Sequence, residues 1–279
     1  MNQDKEILRI FSRFYSRIQT SYRWRIWKPK TPHPVKIQLP LVILGSKYGR
    51  KAFFDIYDDS LPIIVFSGGV GEDISFDLEL AAKYNARVIL VDPSSPAISH
   101  IENLSKHFGQ PAKTVYSLGS RQPIDAYDLS KVNEKHISFI AKALWNFTGV
   151  ITFYLPKDPS RDSSGSINSI HTFYKRSDYF VEVPCTTILE IMKSMNIVDI
   201  DLMKLDIEGA ALEVIDSMLA DKIFPKQLIV EFDEMHFPSF KSKRRASLLF
   251  KKLERSGYIL GHQDSCDFTF VRGDLLYHA

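Results

Sequence analysis

Two periods of apolar spacing, one near two residues and one near 3.6, take turns along this chain, and the switches between them mark its elements. After "KPKTPHP", the stretches "VKIQLPLVILGS" and "KAFFDIYDD" read as the arms of a short β-hairpin. "PIIVF", Pro62–Phe66, is a continuous apolar run, as expected for a strand covered on both faces of a parallel sheet. In "EDISFDLELAAKY", Ile74, Leu78 and Ala81 fall on one helical stripe. "ARVILVD" follows as a second buried strand, which completes a βαβ unit. Between Pro111 and Tyr179 the pattern is weakest: "HISFIAKAL" and "GVITFYLP" read as strands, and the Ser-, Asp- and Gly-rich "KDPSRDSSGSINSI" as a loop. "TTILEIMKSMNI" then predicts a helix with Ile188, Ile191, Met192 and Met195 facing a core. An acidic strand "DIDLMKLDIEG", a helix "ALEVIDSMLADK", a strand "QLIVEFDEM" and a basic helix "SKRRASLLFKKLERSG" come next, and "YILGH" and "DFTFVRG" close the chain as strands. Strands alternating with helices predict an α/β fold, doubly wound around a mostly parallel sheet, with the closing pair supplying an antiparallel edge strand.

Ahead of this domain, Ile7, Ile10, Phe11, Phe14 and Ile18 recur at helical spacing beside Arg9, Arg13 and Arg17. The chain therefore divides into a basic amphipathic arm, residues 1–35, and one α/β domain, residues 36–279. The formal net charge of +3 is uneven, because nine basic side chains face two acidic ones up to Lys36 and the remainder is net acidic. Such an arm suits an anionic membrane surface, and it suits equally a helix packed on the domain with a solvated basic face. No stretch reaches the ~20 apolar residues needed to cross a bilayer, and the arginines interrupt any signal-peptide core. Cys185 and Cys266 lack CxxC spacing, so neither a zinc site nor a disulfide framework is indicated. A reducing, cytoplasmic location follows from that cysteine usage, with peripheral membrane contact through the arm as its variant.

The chemistry concentrates at the ends of the predicted strands. "VFSGGVGEDISFD" places a glycine turn, Gly68–Gly71, where a strand passes into a helix, so unpaired backbone N–H groups can be approached closely. An acidic residue roughly 20 positions on can accept ribose hydroxyls, and Asp92 stands there at the end of the second strand. Together they predict an adenosine-bearing ligand at the carboxyl edge of the sheet. A dinucleotide is disfavoured: the third position of G-x-G-x-x-G, counted from Gly69 and Gly71, is Ile74. Glu72 and Asp73 would also repel a pyrophosphate at the helix start. S-adenosylmethionine, a sulfonium bearing an ammonium group, suits that acidic rim. In "LMKLDIEGAALEVI", Asp206 and Glu208 project the same way if the strand persists, with Lys204 one alternation earlier. They could hold an amino group, orient a nucleophile or take a proton, or they could cap the next helix. "LIVEFDEMHF" again ends in acids, Glu231, Asp233 and Glu234, followed by His236, a candidate base or an ordinary loop histidine.

In this order and spacing, "VFSGGVGEDISFD", "VILVDPSS" and "DLMKLDIEGAALEVI … QLIVEFDE" resemble the FkbM family of S-adenosylmethionine-dependent methyltransferases, over roughly Leu61 to Phe270. The resemblance implies a class I methyltransferase (Rossmann-like) fold and methyl transfer, usually to a hydroxyl oxygen of a sugar or natural product. It implies that Ser67, Gly68, Gly69 and Gly71 wrap the methionine part of the cofactor with Glu72 and Asp73 in support, and that Asp92 binds its ribose. Asp206 and Glu208 occupy the family's DxEG positions beside the transferred methyl. A sugar hydroxyl is a poor nucleophile, so a base such as His236, Asp206 or Glu208 should take its proton. Gly68 stands where an aromatic is common, and Ala211 replaces the acid that usually follows "EGA". No spacing specifies a metal. The other classes consistent with the fold are a catalytically silent binding module and a nucleic-acid methyltransferase. The basic arm and "KSKRR" would serve the latter, but neither interleaves aromatics and the domain itself is net acidic.

Overall fold

The computed structural model describes residues 26, 31–57, 61–155, 165–166, 179–232, 235 and 239–276. The expected N-terminal helical arm and His236 lie outside them, as does most of the serine-rich loop. A hairpin of β1 (Leu41–Leu44) and β2 (Lys51–Phe54) comes first, antiparallel as expected. The βαβ unit is β3 (Ile64–Gly68), α1 (Ser75–Tyr84) and β4 (Arg87–Val91), so the first buried strand runs two residues beyond its predicted end. Next come α2 (Ser95–Leu104), β5 (Ile137–Ile140), β6 (Ala143–Leu144), β7 (Gly149–Tyr154) and β8 (Phe180–Thr186). The chain then alternates through α3 (Ile188–Ser194), β9 (Leu202–Leu205), α4 (Ala211–Ala220), β10 (Gln227–Glu231) and α5 (Phe240–Arg255) to β11 (Tyr258–Asp264) and β12 (Asp267–Arg272).

Seven strands form the central sheet in the order β11-β12-β10-β9-β3-β4-β5. Neighbours from β10 through β5 are parallel, whereas β12 is antiparallel to both β10 and β11. This corrects one expectation: the antiparallel strand is not the edge but lies one place in from it. Burial explains the swap. Phe268, Thr269, Phe270 and Val271 of β12 are all buried, while β11 alternates buried and half-exposed residues as an edge strand does.

Strand alternation feeds two cores. Val65, Val88 and Ile229 join α1, α2 and Phe53 of the hairpin on one face. Phe66, Ile89, Met203, Leu228 and Val230 join α3, α4 and α5 on the other. The hairpin is fastened to the first face by side chains acting as backbone surrogates. Gln227 accepts from Phe54 N at 2.8 Å and donates to Phe54 O at 2.7 Å, and Thr269 Oγ1 donates to Ala52 O at 2.7 Å. Phe53 is fully buried beneath, worth about 1.5–3 kcal/mol of transfer free energy. A small second sheet, β6-β8-β7, was not foreseen as a unit; it packs Ala143, Phe153, Val183 and Cys185 together beside the main sheet.

The chain turns from β3 toward β4 on one side and returns from β9 on the other, which opens a crevice outside their carboxyl ends. No helix among the described residues is long and apolar enough to cross a membrane.

Candidate active site

A cavity of about 330 Å³ occupies that crevice. Its floor is the turn after β3, and the geometry there requires glycine. Gly69 has φ +72°, and a Cβ on it would lie 1.7 Å from the carbonyl oxygen of Asp206. Gly69 N donates to Val91 O at 2.9 Å and Asp206 N to Gly68 O at 3.0 Å, so the ends of β4, β3 and β9 are laced across one another. Gly71 has φ +54°, with open space where its Cβ would be. Gly68 packs on Leu144, whose Cδ1 would lie 2.5 Å from an added Cβ, so a larger residue here would have to displace that side chain. Ala211 is buried in the core around α4, where a carboxylate would be desolvated.

Asp92 is the clamp of this turn. One carboxylate oxygen accepts from Val70 N and Gly71 N at 3.0 Å each, and the other accepts from Ser94 N at 2.8 Å. Three of its roughly four accepting positions are thus used within the chain, which leaves room for about one further donor. Glu72 and Asp73 line the cavity but are committed elsewhere. Asp73 accepts from Ser46 Oγ, Gln122 Nε2, Ser75 N and Ser75 Oγ at 2.6–3.1 Å, which ties the hairpin loop to the start of α1. Glu72 pairs with Arg121 at 2.9 Å. The sequence placed both on the ligand as supports of the turn; the hydrogen bonds of Asp73 and the ion pair of Glu72 also give them a scaffolding part.

Ser67 does not line the cavity: its side chain is buried on the α1 side of the sheet, next to Asp77. Neither makes a well-formed hydrogen bond, although Ser67 and Lys204 both pull on the Asp77 carboxyl. Burial outweighs them and raises that carboxyl above its ordinary range. Folding therefore takes up a proton there, and stability falls as pH rises from the ordinary carboxylate range through the raised value. Asp77→Asn removes that cost. It should unfold at a higher temperature than wild type at pH 8, by ~2–4 °C per kcal/mol, and the advantage should shrink toward pH 4. Thermal melts at both pH values check this; an equal offset at each would mean that Asp77 does not titrate on folding.

At the end of β9 the strand stops at Leu205, so Asp206 and Glu208 do not sit on one strand face as alternation predicted. A turn does the work instead: Glu208 has φ +43° and Gly209 φ +83°, which brings Glu208 back to the cavity beside Asp206. The Glu208 carbonyl accepts from Ser166 Oγ at 2.6 Å, and Gly165 also lines the cavity, so this part of the serine-rich loop reaches the site. Lys204 donates to Gly69 O at 2.9 Å and is nearly inaccessible.

The sequence reading missed Lys51. It enters from β2 and lies 3.0 Å from Asp206, 3.6 Å from Glu231 and 2.7 Å from Asp267. The one signal was its place two residues before Phe53, on the face of a strand that carries a core phenylalanine. Asp267 was missed as well; it is the cross-strand partner of Glu231. Among the described residues the cavity presents seven carboxylates, on Glu72, Asp73, Asp92, Asp206, Glu208, Glu231 and Asp267, against the ammonium groups of Lys51 and Lys204. That donor set repels a pyrophosphate and attracts a cation. No cluster of three or more His, Cys, Asp and Glu residues among those described could hold a metal ion.

No curated protein matches the chain. Among solved structures, a chain titled as a fibrillarin/Nop5p complex aligns over 86% of this chain and 100% of its own, at 10% identity and a TM-score of 0.38, a likeness too weak to bear on function. The family model described as the Methyltransferase FkbM domain matches residues 79–260. That span holds Asp92, Asp206, Glu208 and Glu231 of the cavity, and the match extends over most of the domain. The chain belongs to the FkbM methyltransferase family.

Proposed function

We propose that this chain transfers a methyl group from S-adenosylmethionine to a hydroxyl oxygen of a sugar, glycan or natural-product acceptor. The observation that carries the reading is the acidic cavity at the sheet's switch point, floored by the Gly69–Gly71 turn and clamped by Asp92. When bound, S-adenosylmethionine would supply a methyl group on a positively charged sulfur. The residues that would hold it are the backbone of Gly69, Val70 and Gly71, the carboxylate of Asp92 and the walls formed by Ala143, Leu144 and Phe153.

A hydroxyl is a weak nucleophile, so a carboxylate should take its proton as the new bond forms. Asp206 is poorly suited. Burial pushes its carboxyl up, but Lys51 and Lys204 outweigh that and hold it well below the usual carboxylate range, which makes it a feeble base. Its part is a fixed negative charge. Glu208 borders the same cavity and is the candidate proton acceptor, with Glu231 as the alternative.

Calorimetry with S-adenosylmethionine, its demethylated product and NAD, on wild type and Asp92→Ala, tests the cofactor assignment. Wild type should bind the first two and ignore NAD. Asp92→Ala should weaken binding at least tenfold, because the turn loses charge-assisted bonds worth ~1.5–3 kcal/mol each. NAD binding without any S-adenosylmethionine signal would overturn the reading. Transfer of a labelled methyl group onto a panel of glycans and hydroxylated metabolites then identifies the acceptor.

A further inference from the structure

Lys51 stands outside the span matched by the family, yet it is the best-connected cation of the cavity. Its side chain is 6% exposed, whereas those of Asp206, Glu231 and Asp267 are 27%, 25% and 32% exposed. The ammonium is therefore the more enclosed partner in the cavity wall, and the carboxylates are the more open ones. An ammonium has three hydrogens, and three acids converge on it, Asp206 just past the end of β9, Glu231 on β10 and Asp267 on β12. The hairpin cannot readily withdraw it, because Gln227 and Thr269 hold the backbone of Ala52 and Phe54 immediately after it.

We propose that Lys51 is a positioning residue, a built-in counter-cation that holds Asp206 as a permanent carboxylate facing the cavity. The site then favours a sulfonium ligand over its demethylated product, whose sulfur is uncharged, at every physiological pH. This rests on the S-adenosylmethionine reading above and adds to it a source of selectivity between substrate and product.

Three carboxylates in contact cannot all stay ionised unless something offsets their repulsion. Lys51 from β2 and Lys204 from β9 act on Asp206 by charge and Glu231 from β10 by a hydrogen bond, all holding its carboxyl down, and Asp206 in turn acts on Asp267 of β12. Lys204 spends a hydrogen on Gly69 O, whereas Lys51 is directed at the acids alone in the contacts described. Asp267 already shows the competing tendency, since burial raises its carboxyl despite Lys51. Without the ammonium, the cluster should bind a proton more readily than it does in wild type.

The test compares affinities for S-adenosylmethionine and S-adenosylhomocysteine by calorimetry from pH 5.5 to 8. Their ratio reports the field at the sulfur, because the rest of the two molecules is shared. Wild type should keep a ratio constant within about twofold. In Lys51→Met the preference for the sulfonium should fall by roughly tenfold at the acid end, the effect of one unit of proton competition. Lys51→Arg retains the charge and should restore the flat profile, which a purely steric role of Lys51 does not predict. If Lys51→Met does not fold, Lys51→Met/Asp267→Asn removes the pair together and keeps the cluster's net charge. The same pH dependence is then expected from Asp206 and Glu231 facing each other. A flat ratio in the folded Lys51 variants, or a sloping one in wild type, would overturn the role given to Lys51. Failure of wild type to bind either ligand would instead overturn the cofactor assignment.

Discussion

Gly69→Ala is expected to be the most damaging single-methyl change in this protein, and Gly71→Ala, two residues on, should be mild. Both glycines have positive φ, +72° and +54°, where any L-residue pays ~1–2 kcal/mol. They differ in what a methyl would meet. At Gly71 there is open space, but at Gly69 the Cβ would lie 1.7 Å from the backbone oxygen of Asp206. Neither atom belongs to a flexible side chain, so relief requires β3 and β9 to part at their carboxyl ends. The 3.0 Å bond from Asp206 N to Gly68 O would be strained or lost with it. Overpacking adds ~1–3 kcal/mol, so Gly69→Ala should cost about 2–5 kcal/mol in all. The same displacement moves Asp206 and unseats the turn, and S-adenosylmethionine binding should fall below detection. Thermal melts and calorimetry on both variants decide it. Equal behaviour of the two would mean that the close approach of Gly69 and Asp206 does not exist.

Glu208→Gln is expected to cut methyl transfer by ~10²–10⁴-fold, the usual worth of a general base, while Glu208→Gly leaves the fold intact. Glu208 sits at φ +43°, a left-handed conformation that glycine adopts at little cost. Such strain persists where the surroundings insist on it, and here it brings a carboxylate to the cavity at the start of α4. If Glu208 served only to form the turn, glycine would be at least as stable and glutamine nearly neutral in activity. If it accepts the proton, both variants should fold and both should lose turnover by that factor. Asp206→Asn separates the two acids. It should weaken S-adenosylmethionine binding through loss of a fixed charge, with a smaller effect on the transfer step than Glu208→Gln. Labelled-methyl transfer with the acceptor found in the panel, beside calorimetry, measures both. Full turnover by Glu208→Gln would pass the role to Glu231, whose carboxylate shares the cavity.

What was legible in the sequence was local or periodic. The apolar runs of β3 and β4, the helical stripe of Ile74, Leu78 and Ala81, and the hairpin all follow from which neighbours along the chain are apolar. The glycine turn was readable because positive φ demands a residue without Cβ, and that demand is met within a few positions. Motif spacing likewise placed Asp92, Asp206 and Glu208 at strand ends on one edge of the sheet, where the cavity lies. Tertiary structure alone decided the rest, because each remaining feature joins residues far apart in the chain. The exchange of β11 and β12 at the sheet edge depended on which strand could be buried on both faces. Asp73 became a strut once Ser46 and Gln122 arrived to satisfy its oxygens. Lys51 carries no local sign of its partners beyond sharing a strand face with Phe53, and it is separated from Asp267 by 216 positions. Only the docking of the hairpin against β10 and β12 removes it from water, and a buried ammonium must then find carboxylates, which three strand ends supply.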